Sequence, residues 1–241
     1  MTAGSVWLAG AVVIFGAHVV FGLAGFGVGI VAMAFLPFIM ATTTAVVLMT
    51  IYATIFAVVV FVPLRRQFGP RSIAGLTFGS LLGTPAGIWV LATAPAALLN
   101  RAIGVMLVGV VVLEFAGRLP RLSAPAWGVG AGFFAGLCGG AVGLPGPPTI
   151  AYAATQRWDP RVFKANLQAF FIVNQSVIVL GYWWAGFITT DVLRLTGAYI
   201  MPALAGTLVG MRLFDRIDPV GFRRIVFSLL FVSGVVLCVR G

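Results

Sequence analysis

Acidic residues and charge in general are scarce in this sequence. Asp and Glu number five in 241 residues, and charged residues make up 8% of the chain. Hydrophobic residues make up 61%, and the mean hydropathy is +1.12. This composition excludes an ordinary soluble domain and predicts an all-α polytopic membrane protein. The acids lie at the ends of apolar segments or in connections, so no carboxylate relay is predicted within the membrane.

Cysteine and histidine are also scarce, which excludes several kinds of site. Cys138 and Cys238 lie in separate apolar segments without CxxC spacing, so neither a disulfide framework nor a metal site is predicted. A single histidine, His18, leaves no HExxH motif and no nucleophile with its base. We therefore expect no enzyme activity, no metal and no cofactor.

Basic residues are the more abundant charges, and the net charge is +10. They lie in short loops, where Lys and Arg set membrane orientation and contact anionic lipid. The predicted partners are thus the lipid bilayer and a small anionic substrate, and not nucleic acid. The sequence leaves a homo-oligomer open.

Apolar windows long enough for a helical span recur along the whole chain, since a span needs roughly 20 apolar residues. We place eight such segments, at 5–35, 43–63, 73–94, 98–116, 124–153, 166–187, 192–211 and 222–239.

Two of these segments contain runs that break a helix, "GLAGFGVGI" at 22–30 and "GLCGGAVGLPGPP" at 136–148. Non-helical backbone within a bilayer is tolerated only where protein or a water-filled cavity surrounds it. A short helix that begins at such a break points free N–H groups at the cavity, which suits an anion. Close helix packing is an equal alternative for the first run, but the prolines of the second remove donors and end the helix.

An internal repeat relates the two halves of the chain. A shift of 114 residues superposes 16–29 on 130–143, and a shift of 123 superposes "LLGTPAG" at 81–87 on "LAGTLVG" at 204–210 and Arg101 on Arg224. The predicted organisation is one integral membrane domain, with a first repeat at 1–117, a linker at 118–125 and a second repeat at 126–241.

The distribution of Lys and Arg indicates how the halves are oriented. If all eight segments cross the membrane, the basic residues divide seven against eight, whereas a re-entrant fifth segment gives twelve against three. The positive-inside bias favours the second arrangement. We therefore predict inverted repeats, each made of a broken, re-entrant glycine-rich hairpin and three transmembrane helices.

Four features of the chain belong together: the paired broken segments, the "GTPAG" and "GTLVG" motifs, the basic positions Arg101 and Arg224, and the duplicated eight-segment plan. In these features the chain resembles the TauE/SafE sulfite exporter family. The resemblance covers essentially the whole chain. It implies transport of a small sulfur-containing anion, such as sulfite, a sulfonate or thiosulfate, across the bacterial cytoplasmic membrane. The proline-rich second break, and Phe26 where the second half has Gly140, predict an asymmetric site, so the substrate does not follow from the family.

Candidate substrate-binding residues lie at the breaks and on two helices. Amides at depth can bind an oxyanion or join helices, and threonine hydroxyls can bind substrate or their own helix backbone. The candidates are Gly25, Gly27, Gly29, Gly139, Gly140, Gly143, Gly146, Asn166, Gln168, Asn174, Gln175, Thr84 and Thr207.

Three further residues have a candidate role and a structural alternative. His18 is the one side chain within a segment whose charge changes near neutral pH, and is a proton carrier or a structural imidazole. Arg161 and Lys164 attract anions or mark a loop with lipid contacts. Tyr182, Trp183 and Trp184 are expected in an interfacial aromatic belt. Alternative functions are transport of another small solute and a non-transporting accessory subunit.

Overall fold

The structure is a computed structural model that describes residues 3–116, 125–156, 158–213, 231 and 234–239. The described chain is helical and contains no strand. Its helices are α1 (Ala3–Ala24), α2 (Val28–Phe35), α3 (Thr42–Phe61), α4 (Pro70–Thr93), α5 (Ala96–Ala116), α6 (Pro125–Val142), α7 (Gly146–Thr155), α8 (Pro160–Trp184) and α9 (Thr190–Leu213), followed by a helical stretch at 234–239. Arg224, most of the predicted linker and most of the eighth apolar segment lie outside the described residues.

Several helices are suited to a membrane. Five helical stretches of the described chain are long and apolar enough to cross one: Val6–Leu23, Thr42–Gln67, Pro70–Thr93, Arg161–Trp184 and Thr190–Leu213. Large apolar side chains on their outer faces, such as Trp89 and Met201, are exposed, as expected where lipid replaces water. The protein is therefore an all-helical, polytopic membrane protein.

The helix is interrupted inside the first and fifth apolar segments. In the first, α1 ends at Ala24, and Gly25 and Gly27 have φ angles of 77° and 90° before α2 begins. In the fifth, α6 ends at Val142 and Gly143 has a φ angle of 71° before α7 begins. Left-handed backbone of this kind favours glycine. We name α1–α2 the first hairpin and α6–α7 the second hairpin.

The structure relates the two hairpins by a shift of 118 residues, not 114. Gly25 and Gly143 have the same left-handed conformation, and each N–H bonds the carbonyl four residues earlier, at 2.7 Å and 3.0 Å. Gly22 packs against Thr207 of α9 as Gly140 packs against Thr84 of α4. The 123-residue shift therefore relates α4 to α9. The 114-residue shift that the sequence suggested for the hairpins was wrong by four residues, about one helical turn. Glycines that recur every three or four residues align almost equally well one turn apart.

Helices of one half pack against helices of the other half. Helix α1 runs beside α9 in the same direction, since Gly10 contacts Tyr199 and Gly210 contacts the Val19 carbonyl. Helix α4 runs beside α6 in the same way, through glycines with no room for a Cβ. Small residues let two backbones approach this closely.

The central helices α3 and α8 run in opposite directions. Thr50 lies beside Tyr182 near the end of α8, whereas the N–H of Gly69, beyond the end of α3, bonds Asn166 near the start of α8. Helix α8 runs parallel to α4, because its later residue Gly181 contacts Ile88. Helices α4, α6 and α8 thus point the same way.

Candidate functional site

The tips of the two hairpins are in direct contact. A Cβ at Gly29, in the first turn of α2, would lie 2.6 Å from the carbonyl oxygen of Gly143. On the other side of the contact, a Cβ at Gly146 would lie 3.9 Å from Cδ1 of Ile30. The fold therefore brings together two breaks that are separated by more than a hundred residues in sequence.

A small cavity lies between the tips, with a volume of about 30 Å³. This volume exceeds the roughly 10–15 Å³ that one water molecule needs. Its lining residues are Phe21, Phe26, Gly27, Val28, Gly29, Ile30, Met49, Ala53, Gly143, Leu144, Pro145, Gly146, Phe171 and Gln175.

Gln175 of α8 is the polar side chain of this lining. The residue is 3% exposed, and its Oε1 has no hydrogen-bond partner within the described chain. The oxygen and nitrogen of the Gln175 amide exchange places when the amide group is flipped, so either atom can face a ligand. A buried polar atom without a partner costs about 1–3 kcal/mol, which a ligand or water in the cavity would offset.

The first turn of α2 supplies backbone donors to the cavity wall. The N–H of Val31 bonds the Gly27 carbonyl at 3.0 Å, so the N–H groups of Val28, Gly29 and Ile30 precede the first intrahelical bond. Among the described residues, no side chain caps this helix. Three N–H groups without an intrahelical partner and the positive end of the helix dipole thus lie at the cavity that Gln175 also lines.

The first turn of α7 is different, because its second and third residues are Pro147 and Pro148. Proline has no N–H, so Gly146 is the one donor among the first three residues of α7. Three donors on the side of the first hairpin therefore face one on the side of the second.

The other predicted amides on α8 lie away from the cavity. Gln168 donates through Nε2 to the Gly25 carbonyl, and Asn166 accepts a 2.9 Å hydrogen bond from the Gly69 N–H. Asn174 is fully buried, and neither of its side-chain polar atoms bonds another described residue. Its Nδ2 is 3.5 Å from the Cβ position of Gly139. Of the four amides, Gln175 alone belongs to the cavity lining.

The predicted glycines divide into two groups. Gly27, Gly29, Gly143 and Gly146 line the cavity, while Gly25, Gly139 and Gly140 lie outside the lining. The first group lies at the tips, on the wall of the cavity. Phe26, which the sequence marked as a source of asymmetry, also lines the cavity. The apolar residues Phe21, Met49, Ala53 and Phe171 of the lining were not predicted, because nothing distinguishes these side chains from core residues in so apolar a sequence.

Tyr182 holds the end of α6 in place. Its hydroxyl donates to the Gly140 carbonyl at 2.7 Å and lies 3.3 Å from the Gly139 carbonyl. The assignment of Tyr182 to an interfacial belt was wrong, since it is fully buried, whereas Trp184 is 90% exposed. Adjacent residues at the end of a helix point in different directions, and here only the tyrosine points inward.

The two threonines bond their own helices. The hydroxyl of Thr84 donates to the Ser80 carbonyl at 2.8 Å, and that of Thr207 donates to the Ala203 carbonyl at 3.0 Å. Neither residue lines the cavity. Both lie instead where α4 and α9 pack against the hairpins.

His18 lies on α1 of the first hairpin, in a buried cluster with aromatic residues of α3. Its Nδ1 is 2.8 Å from the Ile14 carbonyl, while Nε2 has no hydrogen-bond partner among the residues that the structure describes. The ring stands edge-on to Tyr52 and Phe56, with centroids 5.5 Å and 4.9 Å away. These contacts fit a structural imidazole, and His18 is not among the cavity residues.

The two basic candidates on α8 have different surroundings. Arg161 is exposed, whereas Lys164 is partly buried and its aliphatic chain packs against Gly25 at the first break. The ammonium group of Lys164 is thus held next to the tip of the first hairpin.

Comparison with known proteins identifies the family. The family model described as "Sulfite exporter TauE/SafE" matches residues 10–237. This chain belongs to that family. A relative from Cupriavidus necator, described as a probable sulfite/organosulfonate exporter TauE, is 26% identical over 230 residues, covering 89% of this chain and 87% of the relative. No solved structure matched the chain. TauE/SafE proteins are transporters, so the prediction that the chain is not an enzyme is confirmed.

Proposed function

We propose that this protein transports a small sulfur-containing anion, such as sulfite, thiosulfate or an organosulfonate, through the cavity between the hairpin tips. The observation that carries the proposal is the contact between Gly29 and Gly143, which joins two non-helical breaks at one cavity within an all-helical protein. Family membership and the name of the Cupriavidus necator relative support the choice of substrate.

The binding mode follows from the donors at the cavity. The oxyanion accepts hydrogen bonds from the N–H groups of Val28, Gly29 and Ile30 and from the side-chain amide of Gln175. Lys164 adds positive charge next to the first break and raises the local anion concentration.

We further propose that the halves are inverted repeats, in the cytoplasmic membrane of a bacterium. The reciprocal packing of α1 on α9 and of α4 on α6 supports a twofold relation between the halves. The antiparallel α3 and α8 support inversion, because equivalent helices of a direct repeat would run parallel. Cysteines introduced at Arg121 and Arg157 should then be labelled from the same face of the membrane. Labelling from opposite faces would contradict a re-entrant second hairpin.

The test of function is anion flux into proteoliposomes that contain only the purified protein. We expect uptake of thiosulfate, sulfite or sulfoacetate, with taurine, sulfate and simple carboxylates as comparison solutes. Thermal unfolding of the same preparation in detergent measures binding, since a ligand at a hundred times its Kd adds about 2.7 kcal/mol to the unfolding free energy.

The variant that tests the site is Gln175→Leu, which replaces the cavity amide with an apolar side chain of similar size. It should retain the fold and lose most of the anion-dependent stabilisation. Stabilisation by a cationic or neutral solute but by no anion would refute the anion site and favour transport of another solute. Anion binding without flux would favour an accessory subunit.

A further inference from the structure

The hairpins are equivalent in position but not in hydrogen-bonding capacity. Under the 118-residue shift, Val28, Gly29 and Ile30 correspond to Gly146, Pro147 and Pro148. The second hairpin has therefore lost two of the three N–H donors that the first retains. Proline is well tolerated in the first turn of a helix, so this loss needs no distortion of α7.

Apolar side chains line the cavity on both sides. The first hairpin contributes Phe21, Phe26, Val28 and Ile30, the second contributes Leu144 and Pro145, and the polar side chain Gln175 comes from α8. The difference between the two hairpins therefore lies in their backbone donors. An anion with oxygens on every side would find a single first-turn N–H, that of Gly146, on the second hairpin.

We propose that Pro147 and Pro148 determine specificity, and that the site selects an anion with one oxyanion head and an apolar body over an anion that needs donors all around. The head binds at the first turn of α2, and the apolar body lies against Leu144 and Pro145. This inference rests on the proposed anion site between the tips and adds to it the orientation and class of the ligand.

Methanesulfonate and sulfate form the matched ligand pair for the test. They have nearly the same size and tetrahedral shape, but methanesulfonate has a methyl group where sulfate has a fourth oxygen. Isothermal titration of the purified full-length protein in detergent measures both Kd values. We expect the wild-type protein to bind methanesulfonate more tightly.

Pro147→Ala restores one N–H on the second hairpin. It should increase the affinity for sulfate about tenfold, the effect of one hydrogen bond to a charged group, and change that for methanesulfonate much less. Pro148→Ala tests the second missing donor independently. Pro70→Ala, at the exposed start of α4, is the control that adds an N–H to a helix start away from the cavity.

The complementary experiment removes a backbone donor from the first hairpin. Ile30→Pro should weaken both ligands about tenfold, while Ile30→Ala, which keeps the N–H, shows the effect of losing the side chain alone. If the sulfate-to-methanesulfonate Kd ratio is unchanged in both proline-to-alanine variants although the wild type binds both ions, proline-based specificity is refuted. If the wild type binds neither these ions nor any other anion, the proposed site fails as well.

Discussion

The contact between the hairpin tips makes a sharp prediction for Gly29→Ala. The added Cβ would lie 2.6 Å from the carbonyl oxygen of Gly143, whereas ordinary contacts of a Cβ are 3.4 Å or longer, so the tips would have to part by about 0.8 Å. A backbone carbonyl cannot move away by changing rotamer. The displacement must therefore be taken up by α2 or by the second hairpin.

The expected cost is that of overpacking, about 1–3 kcal/mol. It is partly offset by the gain of up to about 1 kcal/mol that alanine gives over glycine within a helix. The matched control is Gly16→Ala in α1, where a Cβ would meet nothing within 4 Å. That variant has the helix gain without the clash, so it should be neutral or slightly stabilised.

Thermal unfolding in detergent and anion titration are the assays for this pair. Gly29→Ala should have a lower thermal unfolding midpoint than Gly16→Ala. It should also bind its anion more weakly, because the donors of α2 move with the tip. If the two variants have the same midpoint and the same Kd, the hairpin tips do not meet in the binding state. The anion site built on that contact would then have to be abandoned.

Three further predictions concern side chains on α8. Gln175→Ala should weaken anion binding about tenfold or more, whereas Asn174→Ala, which alters a buried amide outside the cavity, should affect binding less; equal losses in titration would contradict this division. Tyr182→Phe should lower the unfolding free energy by about 1–3 kcal/mol, because it removes the 2.7 Å hydrogen bond to α6, and an unchanged denaturation midpoint would argue against that role. Lys164→Met should slow anion uptake at low salt more than Arg161→Met does, and parallel salt profiles for the two variants would refute charge attraction at the break.

Much of the local structure could be read from the sequence. Glycines 25 and 27 and the run "GLPGPP" mark the breaks, because left-handed glycine and proline both end a helix. Hydropathy predicts a helical chain with several spans, while the re-entrant fifth segment inferred from Lys and Arg stays a prediction. The repeat was found from the same pattern, but its register in the hairpins was off by one turn, since alternative glycine alignments score almost alike.

The roles of the polar residues could not be read in the same way. Helix α8 carries all four amides, Asn166, Gln168, Asn174 and Gln175. Their spacing alone does not show which one lines the cavity, which two bond backbone and which one lies against Gly139 of α6. Tyr182 looks like one of three interfacial aromatics until the packing of α6 shows that its hydroxyl bonds Gly140.

The sequence by itself determined that this is a helical membrane protein with two broken segments, because composition and helix-breaking residues act locally. Only the tertiary structure decided that Gly29 meets Gly143, which side chains surround the cavity and how the two first turns differ in donors. The physical reason is that these features depend on contacts between residues far apart in the chain. Such contacts are set by how the hairpins pack against α4, α8 and α9, and no local pattern records them.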